Sequence, residues 1–76
     1  ARMELRLFAC LSDHNGRPVT KESLYNAMYF DRYSADELPN VKIVDVVICH
    51  VRQKIPEGAG RIETVRSVGF VWRPAT

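Results

Sequence analysis

The scarce reactive side chains of this chain are two histidines, His14 and His50, and two cysteines, Cys10 and Cys49. The chemistry open to them is narrow. Ser12, Asp13 and His14 are the right types for nucleophilic catalysis, but consecutive residues cannot converge on one substrate atom as a nucleophile, its base and an orienting acid must. Neither cysteine stands at metal-ligand spacing from the other or from a histidine, and no glycine-rich phosphate loop is present. No catalytic, metal or cofactor site is therefore expected, and the chain does not read as an enzyme. What remains is a basic surplus with a definite address. Residues 1–41 carry five Lys/Arg against six Asp/Glu, a balance of −1, whereas residues 42–76 carry six against three, a balance of +3. Cations gathered in one part of a fold suit a polyanion such as nucleic acid. An ordinary solvated surface suits the same charges.

Those cations need a scaffold. Seventy-six residues, 46% of them apolar, make one small folded domain over 1–76 and exclude a disordered chain. No apolar run approaches the roughly 20 residues of a membrane span, and no signal-peptide pattern is present. Two cysteines far apart in sequence read as reduced thiols, which places the domain in the cytoplasm. Residues 2–13 suit a helix with Met3, Leu7, Cys10 and Leu11 on an apolar side and Leu5 and Phe8 alongside. His14-Asn15-Gly16 should end it, because Asn and Gly accept the left-handed conformation common after a helix. Pro18-Val19 reads as an extended connector. Thr20 reads as the N-cap of a second helix, Lys21 to about Tyr29, that buries Leu24, Ala27 and Met28. Phe30 to Asn40 reads as a surface loop with Phe30 anchored in the core.

The third segment, about 40–55, is the one that carries the chemistry. Turned at about 100° per residue, Val44, Ile48, Val51 and Ile55 fall on one side. Lys42, Val46, Cys49, His50 and Gln53 fall on the other. Its β-branched residues also suit a strand, but the polar positions do not alternate, so the helix is preferred, and Pro56 and Gly58 stop it. Arg61–Val65 and Phe70–Arg73 read as a hairpin, with Ser67-Val68-Gly69 as the turn and Gly69 supplying its freedom. Phe70 and Trp72 should pack on the helices. Three helices followed by a C-terminal β-hairpin wing is an α+β, winged helix-turn-helix order.

Four segments, in order and at matching spacing, also resemble one family. Glu4-Leu5-Arg6-Leu7-Phe8 is similar to its first-helix motif. Asn15-Gly16-Arg17-Pro18-Val19-Thr20-Lys21-Glu22-Ser23-Leu24 is similar to its second-helix start. Leu38-Pro39-Asn40-Val41-Lys42-Ile43-Val44-Asp45-Val46 resembles the lead into its recognition helix. Ile62-Glu63-Thr64-Val65-Arg66-Ser67-Val68-Gly69-Phe70 resembles its wing. The family is the DNA-binding effector domain of OmpR/PhoB-type response regulators, and the likeness is greatest to its alphaproteobacterial CtrA-like branch. The small sheet and the phosphorylatable receiver that the family places before the first helix are not in these residues, so the resemblance implies a truncated piece or a minimal free-standing form.

The resemblance implies sequence-specific binding of double-stranded DNA in transcription regulation, with the third helix in the major groove and residues 61–73 as a wing in the minor groove. It implies phosphate contacts for Arg17, Lys21, Lys42, Arg52 and Thr64. Ile43 stands where the family often has Thr or Ser, so one phosphate hydrogen bond should be lost there. Val46 implies contact with a thymine methyl, His50 and Gln53 imply base reading, and Arg66 implies a minor-groove contact. Bland readings stand beside these: His50 as an exposed helix histidine, Arg66 as a solvated turn arginine, Asp45 as the structural partner of a nearby arginine or amide. Cys49 faces outward, and Cys10 should be an inert core thiol. The family further implies contact with RNA polymerase through Phe30–Asn40 and a homodimer on tandem half-sites. The rival reading from another class is a winged helix that binds protein rather than DNA.

Overall fold

The computed structural model describes residues 2–29 and 39–75. The expected loop contacts of Phe30, Asp31, Asp36 and Glu37 lie outside the described residues. The order of elements is α1 (Arg2–Asp13), β1 (Val19–Thr20), α2 (Lys21–Tyr29), α3 (Ile43–Lys54), β2 (Gly60–Val65) and β3 (Gly69–Pro74). Three helices therefore pack against a small antiparallel sheet of order β1-β3-β2.

Each helix is bounded by local chemistry. Asn15 and Gly16 take positive φ angles of 49° and 87° directly after α1, as expected for a left-handed helix stop. The Thr20 hydroxyl accepts the Ser23 N–H at 3.1 Å and caps α2. The start of α3 is handled differently. Lys42 makes no side-chain cap; instead the Asn40 side chain accepts the Lys42 N–H at 2.9 Å. The next amides bond three residues back, Ile43 to Asn40 and Val44 to Val41, both at 3.0 Å. That tight turn satisfies donors that the first turn of a helix would otherwise leave open.

The core is one cluster drawn from every element: Leu7 and Leu11 of α1, Val19 of β1, Leu24 and Met28 of α2, Val44, Val47, Ile48 and Val51 of α3, Ile62 of β2 and Phe70 of β3. Burial of each such side chain contributes about 1.5–3 kcal/mol. The buried side of α3 is the expected one with Val47 added, and Ile55 packs partly against it. Trp72 meets Phe8 edge to face, centroids 4.8 Å apart, so both hairpin aromatics pack on helices as expected. Among the described residues no helix is long and apolar enough to cross a membrane.

Four expectations need correction. Leu5 does not join the apolar side of α1; it is 72% exposed. Ala27 is only partly buried. Pro18-Val19 is more than a connector, because Val19 and Thr20 form β1 and pair with Phe70 and Gly69 of β3. Gly69 is not the residue that frees the turn. Ser67 holds the left-handed conformation, at φ 65°. Gly69 is needed because a Cβ there would lie 2.0 Å from the Val19 carbonyl oxygen, where β1 crosses close to β3.

Candidate nucleic-acid interface

The interface is built around α3. Its inner side is sealed in the core, so the helix presents an outer strip. Val46, 48% exposed, leads the strip, followed by Cys49, His50 and Gln53, all exposed. Gln53 Nε2 lies 3.9 Å from Cys49 Sγ, a weak contact along one side of the helix. Lys42 stands exposed just before the helix. Ile43 belongs less to the strip than its sequence position suggests, since it is half-buried and packs on the core.

Three polar ties fix α3 to its neighbours. Lys21 Nζ donates to Asp45 Oδ2 at 3.1 Å, joining the start of α2 to the first turn of α3. Asp45 thus has a structural partner, as expected, and it is a lysine on another helix. Arg52 joins α3 to the hairpin: its Nε and Nη2 donate to the Ile62 carbonyl at 3.1 and 2.8 Å, and Nη2 also donates to Thr64 Oγ1 at 3.1 Å. The same guanidinium lies 5.8 Å from the centre of the Phe70 ring, within cation–π range. Lys54 Nζ donates to Glu4 Oε1 at 2.7 Å, tying the last turn of α3 to α1. The other oxygen of Glu4 lies 4.0 Å from His50 Nδ1.

The hairpin completes the surface. Its turn is closed by the Val68 N–H donating to the Val65 carbonyl at 3.0 Å, and this places Arg66 in solvent at the tip. The tip and the start of α2 line one cleft of about 600 Å³, with Thr20, Lys21 and Glu22 on one wall and Thr64, Arg66 and Ser67 on the other. Lys21 is therefore near Arg66 across the cleft and bonded to α3 through Asp45. Arg17 stands apart from this group: its Nε donates to the His14 carbonyl at 3.0 Å, where it helps to finish α1.

The basic surplus of the second half divides by partner. Glu63 accepts from Arg61 Nη2 at 2.6 Å and from Arg73 Nε at 2.9 Å. Arg73 and then Arg61 hold its carboxyl below the usual value. The hydrogen bond from Lys54 lowers the Glu4 carboxyl likewise, against a smaller opposing effect of partial burial. Arg61, Arg73 and Lys54 are thus matched by acids, and Arg52 by a carbonyl. Lys42 and Arg66 have no ion-pair or hydrogen-bond partner for their side chains among the described residues. Cys10 is only partly buried, and burial, followed by Asp13, pushes its thiol up.

Sequence reasoning missed Glu4. Its apposition to His50 and Lys54 comes from the packing of α1 across α3, which neither helix encodes by itself. It missed the Arg52 tie for the same reason.

A helix with a sealed inner side and an open outer strip, held beside a hairpin with an exposed basic tip, is the winged helix-turn-helix class. Comparison with known proteins narrows the class. Residues 1–72 match the family model described as transcriptional regulatory protein, C terminal, and the chain belongs to this family, the OmpR/PhoB-type DNA-binding domain. It is similar to the cell cycle transcriptional regulator CtrA of Caulobacter vibrioides, at 38% identity over 73 residues, covering 92% of this chain and 30% of that protein. The cell cycle response regulator CtrA of Brucella ovis matches at the same identity and coverage. Among solved structures, a mutant of RitR superimposes with a TM-score of 0.71 at 28% identity, covering 96% of this chain and 32% of the other. The chain thus spans under a third of the length of these relatives.

Proposed function

We propose that this domain binds double-stranded DNA sequence-specifically in transcription regulation, with α3 in the major groove and Arg66 of the wing in the adjacent minor groove. The observation that carries the reading is the exposed strip of α3 lying beside a hairpin whose tip arginine has no side-chain partner among the described residues. Major-groove edges are read by short polar and apolar side chains on a helix. Val46 suits a thymine methyl, and His50 and Gln53 suit base donors and acceptors. Lys42 supplies a phosphate contact at the start of the helix, and Lys21 another from the start of α2, sharing its charge with Asp45. Ile43 adds apolar contact at the edge of the strip rather than a phosphate hydrogen bond.

Arg52 and Thr64 act mainly on each other in this reading. Their hydrogen bond and the bidentate hold on Ile62 set the distance between helix and wing, and phosphate contact by either is secondary. Arg17 contributes charge from the flank. The CtrA relatives carry names that mark them as cell-cycle regulators. A comparable regulatory role, with two copies of the domain on tandem half-sites, is part of this reading.

The test is fluorescence anisotropy with random and AT-rich duplexes at two salt concentrations. A domain that neutralises phosphates loses affinity steeply as salt rises. Salt-sensitive binding supports the DNA reading. Absence of binding to any duplex at low salt overturns it in favour of a protein-binding winged helix.

A further inference from the structure

We propose that Glu4 of α1 is the positioning residue for His50, holding the imidazole for base reading and making DNA binding proton-linked. The inference rests on the DNA-binding reading above and adds a residue and a pH dependence to it. The geometry is a carboxylate shared by two cations of one helix. Glu4 Oε1 accepts from Lys54 at 2.7 Å, and Oε2 faces His50 Nδ1 at 4.0 Å. The Glu4 side chain is only 16% exposed, whereas that of His50 is 55% exposed, so the acid is sheltered and the imidazole is in the open. Among the described residues, Glu4 is the charged group that α1 sets against His50, and Lys54 is the one from the next turn of α3. α2 reaches α3 through Lys21 and Asp45 nearer its start, and β2 reaches it through Arg52 on another flank.

An ionised carboxylate only accepts hydrogen bonds. At 4.0 Å the contact is longer than a hydrogen bond, so Glu4 acts on the ring through its charge: it favours a proton on Nδ1 and leaves Nε2 for a ligand. The proton count on Nε2 then decides what the ring reads. Without a proton, Nε2 accepts from the amino group of adenine or cytosine. With one, it donates to guanine N7 or O6 or to phosphate, and the ring carries a full positive charge. A polyanion favours the second state, so binding takes up a proton. Lys54 keeps Glu4 ionised through the range in which histidines titrate, because it holds that carboxyl below its usual value.

The experiment uses the whole domain and a duplex selected from a random pool. Affinity is read by anisotropy from pH 8.5 to 5.5 at fixed ionic strength, with far-ultraviolet circular dichroism at each pH to monitor folding. Wild type is expected to tighten by about tenfold as pH falls, equivalent to about 1.4 kcal/mol. Glu4→Gln and His50→Gln are expected to flatten the profile. Glu4→Asp retains the charge with a shorter reach and is expected to give a shallower slope, which decides the matter if Glu4→Gln does not fold. His14 is present in every variant, so its titration cannot create the difference. A flat wild-type profile, or a Glu4→Gln profile with the wild-type slope, overturns the proposal. Salt-sensitive binding with a flat profile overturns this inference alone; failure to bind DNA at any pH overturns the underlying reading with it.

Discussion

The outer strip of α3 and the tip of the hairpin are built in opposite ways. Along α3 the ionic groups are tied to neighbouring elements: Asp45 to Lys21, Arg52 to Ile62 and Thr64, Lys54 to Glu4. The strip left to face outward is nearly uncharged, with Val46, Cys49, His50 and Gln53. At the wing tip Arg66 stands on a turn with no side-chain partner among the described residues. The helix therefore offers a fixed shape, and the wing offers mobile charge. Shape discriminates between sequences, whereas unpaired charge raises affinity for all of them. Fixing the tip arginine on binding costs about 0.5–1.5 kcal/mol of side-chain freedom. The tied ions of α3, Asp45, Arg52 and Lys54, have already lost much of theirs.

Substitutions can break this contrast at different depths. Ile48, 1% exposed on the inner side of α3, carries the largest expected effect. Ile48→Ala should lower stability by about 2–5 kcal/mol, read as a fall in the denaturation midpoint, and should remove both kinds of DNA contact together. Arg52→Ala comes next, at about 1–3 kcal/mol, because charged hydrogen bonds to a partly buried carbonyl are lost. Arg52→Lys should not restore it, since an ammonium cannot reproduce the fork. Arg66→Ala separates the two regions most cleanly. It should leave stability within about 0.5 kcal/mol while weakening DNA binding roughly evenly across sequences and reducing the salt slope by about one.

The smallest expected effect is acid sensitivity. Glu4 and Glu63 both have carboxyls lowered from 4.5 in the folded protein. Their contribution is full above the unfolded value and is lost as pH falls through the lower folded values. Stability should therefore hold from neutral pH to about pH 5 and decline below it. Since both groups are in contact with solvent, the decline should be gentle and should shrink further in high salt. Glu63→Gln should flatten the hairpin's share of it, measured by denaturation at pH 3.5 and pH 6.

How much of this was visible in the chain differs by element. The inner side of α3 was legible because Val44, Ile48 and Val51 recur at helical spacing, and the helix limits because Asn15-Gly16 and Thr20 carry their own stop and cap chemistry. β1 was not legible: two residues hold no periodicity, and their strand exists only through pairing with β3. Gly69 was noticed for the wrong reason, since the close approach of Val19 depends on that same pairing. Leu5 belongs to the apolar pattern of α1 by sequence yet meets no covering element among the described residues. For the site, the outer strip and Arg66 could be picked out from periodicity and motif. The ties of Arg52 to Ile62, Lys21 to Asp45 and Glu4 to Lys54 could not, because each joins residues at least ten positions apart through tertiary packing.

The central claim is that helix and wing occupy neighbouring grooves of one duplex. Dimethyl sulfate tests it directly, because it methylates guanine N7 in the major groove and adenine N3 in the minor groove. On a duplex selected from a random pool, the wild-type domain should protect guanine N7 over a short run and adenine N3 beside it. Arg66→Ala should lose the adenine protection and keep the guanine protection. Protection confined to one groove, or loss of both signals in Arg66→Ala at a concentration that saturates the duplex, would contradict the account.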